Sequence, residues 1–456
     1  MCTFDAIIIG AGQAGSPLAH NLADKGWKVA LIEKEHLGGS CINYGCTPTK
    51  TMLASAQIAH YVRRAPDFGV YPGALTIDLP EIVARKDRIV RGWRAGQERH
   101  AATRPNITLY RSAASFTASH AVQAGDEALT APHIFINTGT SPLILPIEGV
   151  NDVPYLTNRT IIELTEVPEH LLVIGGSYIG LEFGQMFRRF GSRVTVVETM
   201  EQLIPREDEE VARAVQRVLE GEGVRFLLGS KASRVEAGAG GQLRLTVESR
   251  DRNGSEVLTG SHLLLAAGRR PNTQELGLEA AGIEAKHGWI TVNEHLETNV
   301  PGVYALGDVN GGPAFTHISH SDFQIVFHNL FHEEKRSTRG RLLPYALYTD
   351  PELGRVGTTE KEARDSGHSI KVGSIPLSQV ARAVERGETA GLMKIVVDAQ
   401  SDRILGAAIL APGGGELVQT VMALMMADAP WTLFHKATFI HPTLSEGFFS
   451  LMDQVG

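Results

Sequence analysis

The sequence predicts an α/β protein with two doubly wound dinucleotide-binding units and a smaller C-terminal α+β unit. Three observations lead there. A strand–glycine turn–helix–strand–acid pattern runs from Asp5 to Glu33, the same pattern returns from Leu171 to Glu198, and from about Leu342 strands alternate before giving way to helices. With 456 residues the chain has room for roughly two to four hydrophobic cores.

Composition narrows the class further. A hydrophobic content of 43% and a charged content of 21% are ordinary for a water-soluble globular protein. The 48 glycines exceed the average and suit several nucleotide-binding turns. A net charge of −8 without any basic run argues against nucleic acid as the main partner. No stretch approaches the roughly 18 uninterrupted apolar residues that a membrane helix requires. The chain enters a strand directly after Met1-Cys2-Thr3-Phe4-Asp5, with no basic-then-apolar leader, so a cytoplasmic protein is expected. Its three cysteines, Cys2, Cys41 and Cys46, are too few for a disulfide scaffold, and Cys2 reads as incidental.

The first unit opens on the apolar strand Ala6-Ile7-Ile8-Ile9 and turns at Gly10-Ala11-Gly12-Gln13-Ala14-Gly15. A helix follows through Leu18, Ala19, Leu22 and Ala23, then a strand, Val29-Ala30-Leu31-Ile32, ending on Glu33. Glycine lets the backbone turn tightly and approach a pyrophosphate, whose charge the helix N-terminus meets, while the acid can accept ribose hydroxyls. With all parts in register, Gly10, Gly12, Gly15 and Glu33 define a dinucleotide site.

Next comes Gly38-Gly39-Ser40-Cys41-Ile42-Asn43-Tyr44-Gly45-Cys46-Thr47-Pro48-Thr49-Lys50, at the start of an apolar helical run through Met52, Leu53 and Ala56. On a helix or turn this cysteine spacing brings two Cβ atoms within disulfide reach. A helix N-terminus favours a thiolate, and Lys50, one turn after Cys46, adds a cation on the same face. A structural thiol pair or a metal half-site fits these residues as well. Residues 51–135 carry helical patterns in which Arg63, Arg64, Arg85, Arg88 and Arg91 read as solvated faces. Ile134-Phe135-Ile136 is then an apolar strand running into Asn137-Thr138-Gly139-Thr140.

The second unit has Leu171-Leu172-Val173-Ile174 as strand and Gly175-Gly176-Ser177-Tyr178-Ile179-Gly180 as turn. Leu181-Glu182-Phe183 enter the helix, and Val194-Thr195-Val196-Val197 closes on Glu198. Ser177 stands where the second glycine belongs and narrows the approach to the pyrophosphate. Two such units imply two dinucleotides with electron transfer between them. Glu198, Thr199, Met200 and Glu201 are acidic or neutral, which suits a free 2′-hydroxyl and so NADH over NADPH; Arg206 is the residue that could reverse that preference. His317 and His320, three apart, read as packing histidines, and no metal site is assigned. His441, with Glu446 five residues on, reads as an imidazole and its orienting carboxylate.

The cysteine segment resembles the redox-active disulfide of the flavin-dependent pyridine nucleotide–disulfide oxidoreductases, which include glutathione reductase, dihydrolipoamide dehydrogenase and mercuric reductase. The resemblance covers essentially the whole chain, with its motifs in order. It assigns the first unit to FAD and makes Asn137-Thr138-Gly139 the exit turn of the flavin domain, Asn137 replacing an alanine. Ala266-Ala267-Gly268-Arg269-Arg270-Pro271-Asn272 resembles the exit from the NAD domain. Thr298-Asn299-Val300-Pro301-Gly302-Val303-Tyr304-Ala305-Leu306-Gly307-Asp308 resembles the second FAD signature, with Gly307 and Asp308 at the ribityl chain. The implied organisation is an FAD domain over 1–149 and 269–341, an NAD(P)H domain over 150–268 and a dimerisation domain over 342–456.

The implied reaction passes electrons from NADH through FAD to a Cys41–Cys46 disulfide. Cys46 would face the flavin and Cys41 would be the exposed thiol that meets substrate. Lys50 would pair with Glu182 near flavin N5, Tyr178 would be the lid over the nicotinamide, and His441 with Glu446 would act across a homodimer interface. The segments Phe315-Thr316-His317-Ile318-Ser319 and Phe439-Ile440-His441-Pro442-Thr443 look most like mercuric-reductase-like flavoproteins tied to reactive-chlorine and copper stress. Phe439 stands where dihydrolipoamide dehydrogenases typically carry a first histidine, and no cysteine pair occurs near Gly456, where mercuric reductases carry one. A disulfide or metal-ion substrate such as Cu(II) or Hg(II) is therefore expected. The alternatives are the dihydrolipoamide dehydrogenase component of a multienzyme complex and a slow redox sensor.

Overall fold

In the computed structural model, residues 2–250 and 254–456 are described. The first unit builds a five-stranded parallel sheet in the order Val303–Ala305, His133–Ile136, Ala6–Ile9, Val29–Ile32 and Ile107–Tyr110. Its inner strand Ala6–Ile9 is covered on both faces, which is why it reads as an unbroken apolar run rather than an alternating one. The strand Val303–Ala305 comes from far along the chain, so the first unit is completed only by the second flavin-type segment.

The second unit is a four-stranded parallel sheet in the order Val224–Leu227, Arg193–Val197, His170–Ile174 and His262–Leu265. An antiparallel ribbon of Ser230–Ala237, Leu243–Ser249 and Ser255–Gly260 stands beside it. The C-terminal unit is a five-stranded antiparallel sheet ordered Tyr345–Leu347, Glu352–Gly357, Ile404–Ala411, Leu392–Asp398 and Ile370–Pro376, with the helix Gly414–Met426 against it.

Two packing features position the site. The helix Cys46–Arg64 and the helix Tyr178–Phe190 share one core, with Met52 and Ala56 of the first buried together with Leu181, Phe183 and Phe187 of the second. This seats the cysteine helix directly on the turn of the second unit. The second unit is also pinned to the C-terminal sheet by Lys394, whose side chain is 3% exposed and whose ammonium lies 3.2 Å from Asp208, 2.6 Å from Glu210 and 2.8 Å from Glu360. The arginine-rich region between the cysteine helix and the strands is less purely solvated than its sequence suggests. Arg64 donates to the Gly387 carbonyl at 2.6 Å and Arg85 to the Thr51 carbonyl at 2.9 Å. Lys86 beside them is buried and paired with Asp87 and Glu163. Among the described residues no helix is long and apolar enough to cross a membrane.

Candidate active site

A cleft of about 930 Å³ runs from the first glycine turn to the cysteines and the second turn. Gly10, Gly12, Glu33, Thr138, Gly139, Asp308, Cys41, Cys46, Lys50, Tyr178 and Glu182 all line it. The turn tolerates nothing larger than glycine where it is tightest. Gly10 has φ +101°, and a Cβ there would stand 2.3 Å from the Asn137 carbonyl oxygen; at Gly15 it would stand 2.0 Å from that of Gly10. Glu33 accepts the Ala11 N–H at 3.0 Å and the Glu35 N–H at 2.8 Å, so the acid shapes the turn it borders.

Asn137 takes a larger part than its sequence context suggests. Its Oδ1 accepts the buried Gly15 N–H at 2.9 Å and its Nδ2 donates to the Leu306 carbonyl at 2.8 Å. One amide thus fastens the first glycine turn to the segment that carries Gly307 and Asp308. Asp308 itself accepts the Thr140 hydroxyl at 3.1 Å and lies 4.0 Å from Arg269. A glycine-floored cleft with a carboxylate at either end fits the phosphates and hydroxyls of FAD.

The cysteines straddle a helix break. Cys41 lies in the short helix Gly39–Tyr44, and Cys46 opens the helix Cys46–Arg64 after Gly45. Both are free thiols. Both thiols line the cleft, Cys41 from its short helix and Cys46 from the first turn of the next. The Cys46 thiol is pushed down to about 6, chiefly by a hydrogen bond from Cys41 and, against the opposing effect of burial, by the Thr316 hydroxyl and the Lys50 charge. Cys41 moves the opposite way, raised by that hydrogen bond and by burial. Thr316, the first residue of the helix Thr316–Phe331, lies 3.4 Å from Cys46 Sγ. Its position between Phe315 and His317 was readable, but nothing local marked its hydroxyl for the cysteines.

Lys50 and Glu182 meet as expected, Nζ to Oε2 at 2.6 Å. Lys50 also lies 4.4 Å from the centre of the Tyr348 ring, and Glu182 accepts the Tyr348 N–H at 3.0 Å, so the C-terminal sheet supports the pair. In the second turn Gly175 has φ +114° and abuts the Ala266 carbonyl, and Gly180 packs on Gly175. Ser177 precedes the helix in extended conformation, its side chain making no cap bond. Glu198 accepts the Gly176 N–H at 2.7 Å and the Met200 N–H at 2.9 Å. Gly268, at φ +134°, accepts the Leu143 N–H at 3.0 Å where the chain leaves the unit. Of these turn residues Tyr178 reaches the cleft wall, where its edge meets Phe315 and Tyr345.

His317 and His320 take separate packing positions. His317 stacks on Phe315 and contacts the Pro344 carbonyl at 2.6 Å, while His320 meets Phe323 edge-on. His441 Nδ1 lies 3.1 Å from Glu446 Oε1, but the imidazole is 71% exposed and does not line the cleft. Within one chain, therefore, the pair is formed and is not brought to the cysteines.

Two nucleotide-type turns, a thiol pair between them and a strand-rich C-terminal unit define a flavin- and nicotinamide-dependent disulfide oxidoreductase. The chain belongs to this family: residues 4–322 match the pyridine nucleotide-disulphide oxidoreductase model and 343–451 match its dimerisation domain. It is 36% identical to the probable pyridine nucleotide-disulfide oxidoreductase RclA of Escherichia coli K12, over 100% of both chains. It is 35% identical to a Staphylococcus aureus mercuric reductase over 91% of this chain and 76% of that one. Identity to a Thermus scotoductus dihydrolipoyl dehydrogenase is 36%, over 98% and 96%. The solved Cu(II) complex of the HOCl-induced flavoprotein disulfide reductase RclA from Escherichia coli superposes with a TM-score of 0.90 at 35% identity, covering 100% of each chain. The protein is thus an FAD-containing enzyme of a family that uses NAD(P)H.

Proposed function

We propose that this enzyme takes electrons from NADH and delivers them through the Cys41–Cys46 pair to a metal ion, with Cu(II) and Hg(II) as the leading acceptors. The observation that carries the reading is the polarised thiol pair: Cys46, lowered to about 6, sits in the cleft beside Lys50 and Thr316. The relatives' names, RclA with Cu(II) and mercuric reductase, supply the acceptor class. Bound in this cleft, FAD would supply two-electron redox chemistry between the nicotinamide and the cysteine pair.

Around it the chain's own residues divide the work. Gly10, Gly12, Gly15, Glu33, Thr138, Gly139, Gly307 and Asp308 hold FAD, over the span 1–149 and 269–341. Gly175, Ser177, Gly180, Glu198 and Gly268 hold the nicotinamide dinucleotide, over 150–268. Glu198 favours NADH because a 2′-phosphate beside it would repel. The Lys50–Glu182 pair keeps a fixed cation near the redox centre, and Cys46 holds negative charge there. Cys41 is the exchanging thiol because Cys46 would face the flavin, which leaves the Cys41 sulfur for substrate, and exchange also needs a protonated leaving group. His441, held by Glu446, moves that proton from a second copy of the chain. The apolar surface left on the 342–456 unit, with Ile440 78% and Met426 72% exposed, supports a homodimer.

Anaerobic titration of the purified holoenzyme with NADH, followed by steady-state turnover on Cu(II), Hg(II), lipoamide and glutathione disulfide, tests this. The expected result is a long-wavelength thiolate–flavin band at two electrons, fast metal-ion reduction and little lipoamide turnover. Fast lipoamide turnover would instead make the protein a dihydrolipoamide dehydrogenase.

A further inference from the structure

Tyr178, expected as the lid, rests on a seat that neither nucleotide motif encodes. Phe315 is sandwiched between two parallel rings, His317 at 5.5 Å with 15° between planes and Tyr345 at 5.3 Å with 7°. The Tyr178 ring meets this stack edge-on at two points, 5.9 Å from Phe315 and 5.6 Å from Tyr345. Tyr178 lies one helical turn before Glu182, so its ring lines the cleft on the same helix face as the carboxylate paired with Lys50.

Both ends of the stack are tied. His317 contacts the Pro344 carbonyl at 2.6 Å, and the Tyr345 hydroxyl donates to Glu207 Oε1 at 2.5 Å. Glu207 is 5% exposed, and its other oxygen faces Arg355, 1% exposed, at 3.8 Å. Tyr345 and Arg355 are direct cross-strand partners, so both project toward Glu207 from one sheet face. A carboxyl buried this deeply would lose its hydrogen-bond partner if Tyr345 turned away, which makes rotation of Tyr345 costly. Burial pushes the Glu207 carboxyl up, and Arg355 and Tyr345 oppose that. The same loop is tied to the second turn, where the Ile204 N–H donates to the Gly176 carbonyl at 2.9 Å.

We propose that Tyr345, anchored by Glu207, is a positioning residue that holds the Tyr178 lid closed and so sets how tightly the cleft takes a nicotinamide dinucleotide. The inference rests on the reading of the second unit as the nicotinamide site. A lid held closed lowers the fraction of molecules competent to bind, so loosening it tightens apparent binding. One edge-on ring contact corresponds to about a five-fold change in that equilibrium.

The test is calorimetric titration of the oxidised holoenzyme with NAD⁺ and NADP⁺, in wild type, Tyr345→Phe, Phe315→Leu, Tyr178→Ala and the Tyr178→Ala/Tyr345→Phe double variant. Tyr345→Phe keeps the ring and removes the anchor, and it lowers the apparent Kd about three- to five-fold. Phe315→Leu shifts Kd the same way and carries the test if the first variant fails to fold. In the Tyr178→Ala background Tyr345→Phe has no further effect, which a merely structural tyrosine would not satisfy. An unchanged or raised Kd in the single variants, or a shift that persists without Tyr178, overturns the proposal. If wild type binds neither NAD⁺ nor NADP⁺, the donor-site reading itself fails; if wild type binds and the variants do not respond, only the lid inference fails.

Discussion

Replacing Cys41 by alanine should raise the pKa of Cys46 by about one to two units. The hydrogen bond from Cys41 is the largest influence holding the Cys46 thiol down at about 6. A hydrogen bond to a charged acceptor is worth about 1.5–3 kcal/mol, and one unit corresponds to about 1.4 kcal/mol. Loss of a donor to the thiolate destabilises the charged form, so the shift is upward, to about 7–8. The Thr316 hydroxyl at 3.4 Å and the Lys50 charge remain and lower the variant's value against burial, measured from an ordinary thiol value of about 8.5. The assay is the pH dependence of iodoacetamide alkylation of the reduced holoenzyme, in a Cys2→Ser background because Cys2 is also exposed. The midpoint is the quantity to compare, since a more basic thiolate is also a better nucleophile and the rate at one pH mixes both effects. A wild-type midpoint near 8.5, or a Cys41→Ala midpoint equal to wild type, would refute the argument.

Other perturbations test the scaffold. Asn137→Ala strands the buried Gly15 N–H and the Leu306 carbonyl. It should cost about 2–4 kcal/mol in urea unfolding and weaken FAD retention on dialysis. Lys394→Met leaves Asp208, Glu210 and Glu360 facing one another and should cost about 3 kcal/mol. Asp208 and Glu360 are both held below their ordinary values, Asp208 by the Glu360 N–H and Lys394 against burial, Glu360 first by Lys394. Their contribution is therefore complete above about pH 4–5 and is lost as pH falls through their lowered values, so the gap between wild type and Lys394→Met should close in acid melts. Lys50→Met leaves Glu182 without its cation and should slow anaerobic flavin reduction about ten-fold or more while leaving FAD bound, which stopped-flow absorbance would show.

What could be read from the chain beforehand was local. Each glycine turn, its strand and its closing acid lie within some thirty residues, so their pattern survives in one dimension. The contacts that escaped are the long ones. Asn137 looked like a mild departure because its partners, Gly15 and Leu306, are 122 and 169 residues away. The partner of Tyr345, Glu207, is 138 residues off, and that of Cys46, Thr316, is 270. His317 was expected to pack, and it does, but its role in a three-ring stack depended on Tyr345 arriving from another sheet. The break at Gly45, which places the two cysteines on different helices, was not fixed by the spacing alone.

The amide of Asn137 also dictates an order of events at the ribosome. Its second partner, Leu306, is translated 169 residues after it, and the strand that completes the first sheet is made in the same stretch. At about 5–20 residues per second that is a wait of roughly ten to thirty seconds. All four strands of the second parallel sheet, ending with His262–Leu265, have been translated before that wait ends. The nascent chain thus holds every strand of the second sheet while the first still lacks one, and the floor of the cleft is not complete until Leu306 has been made.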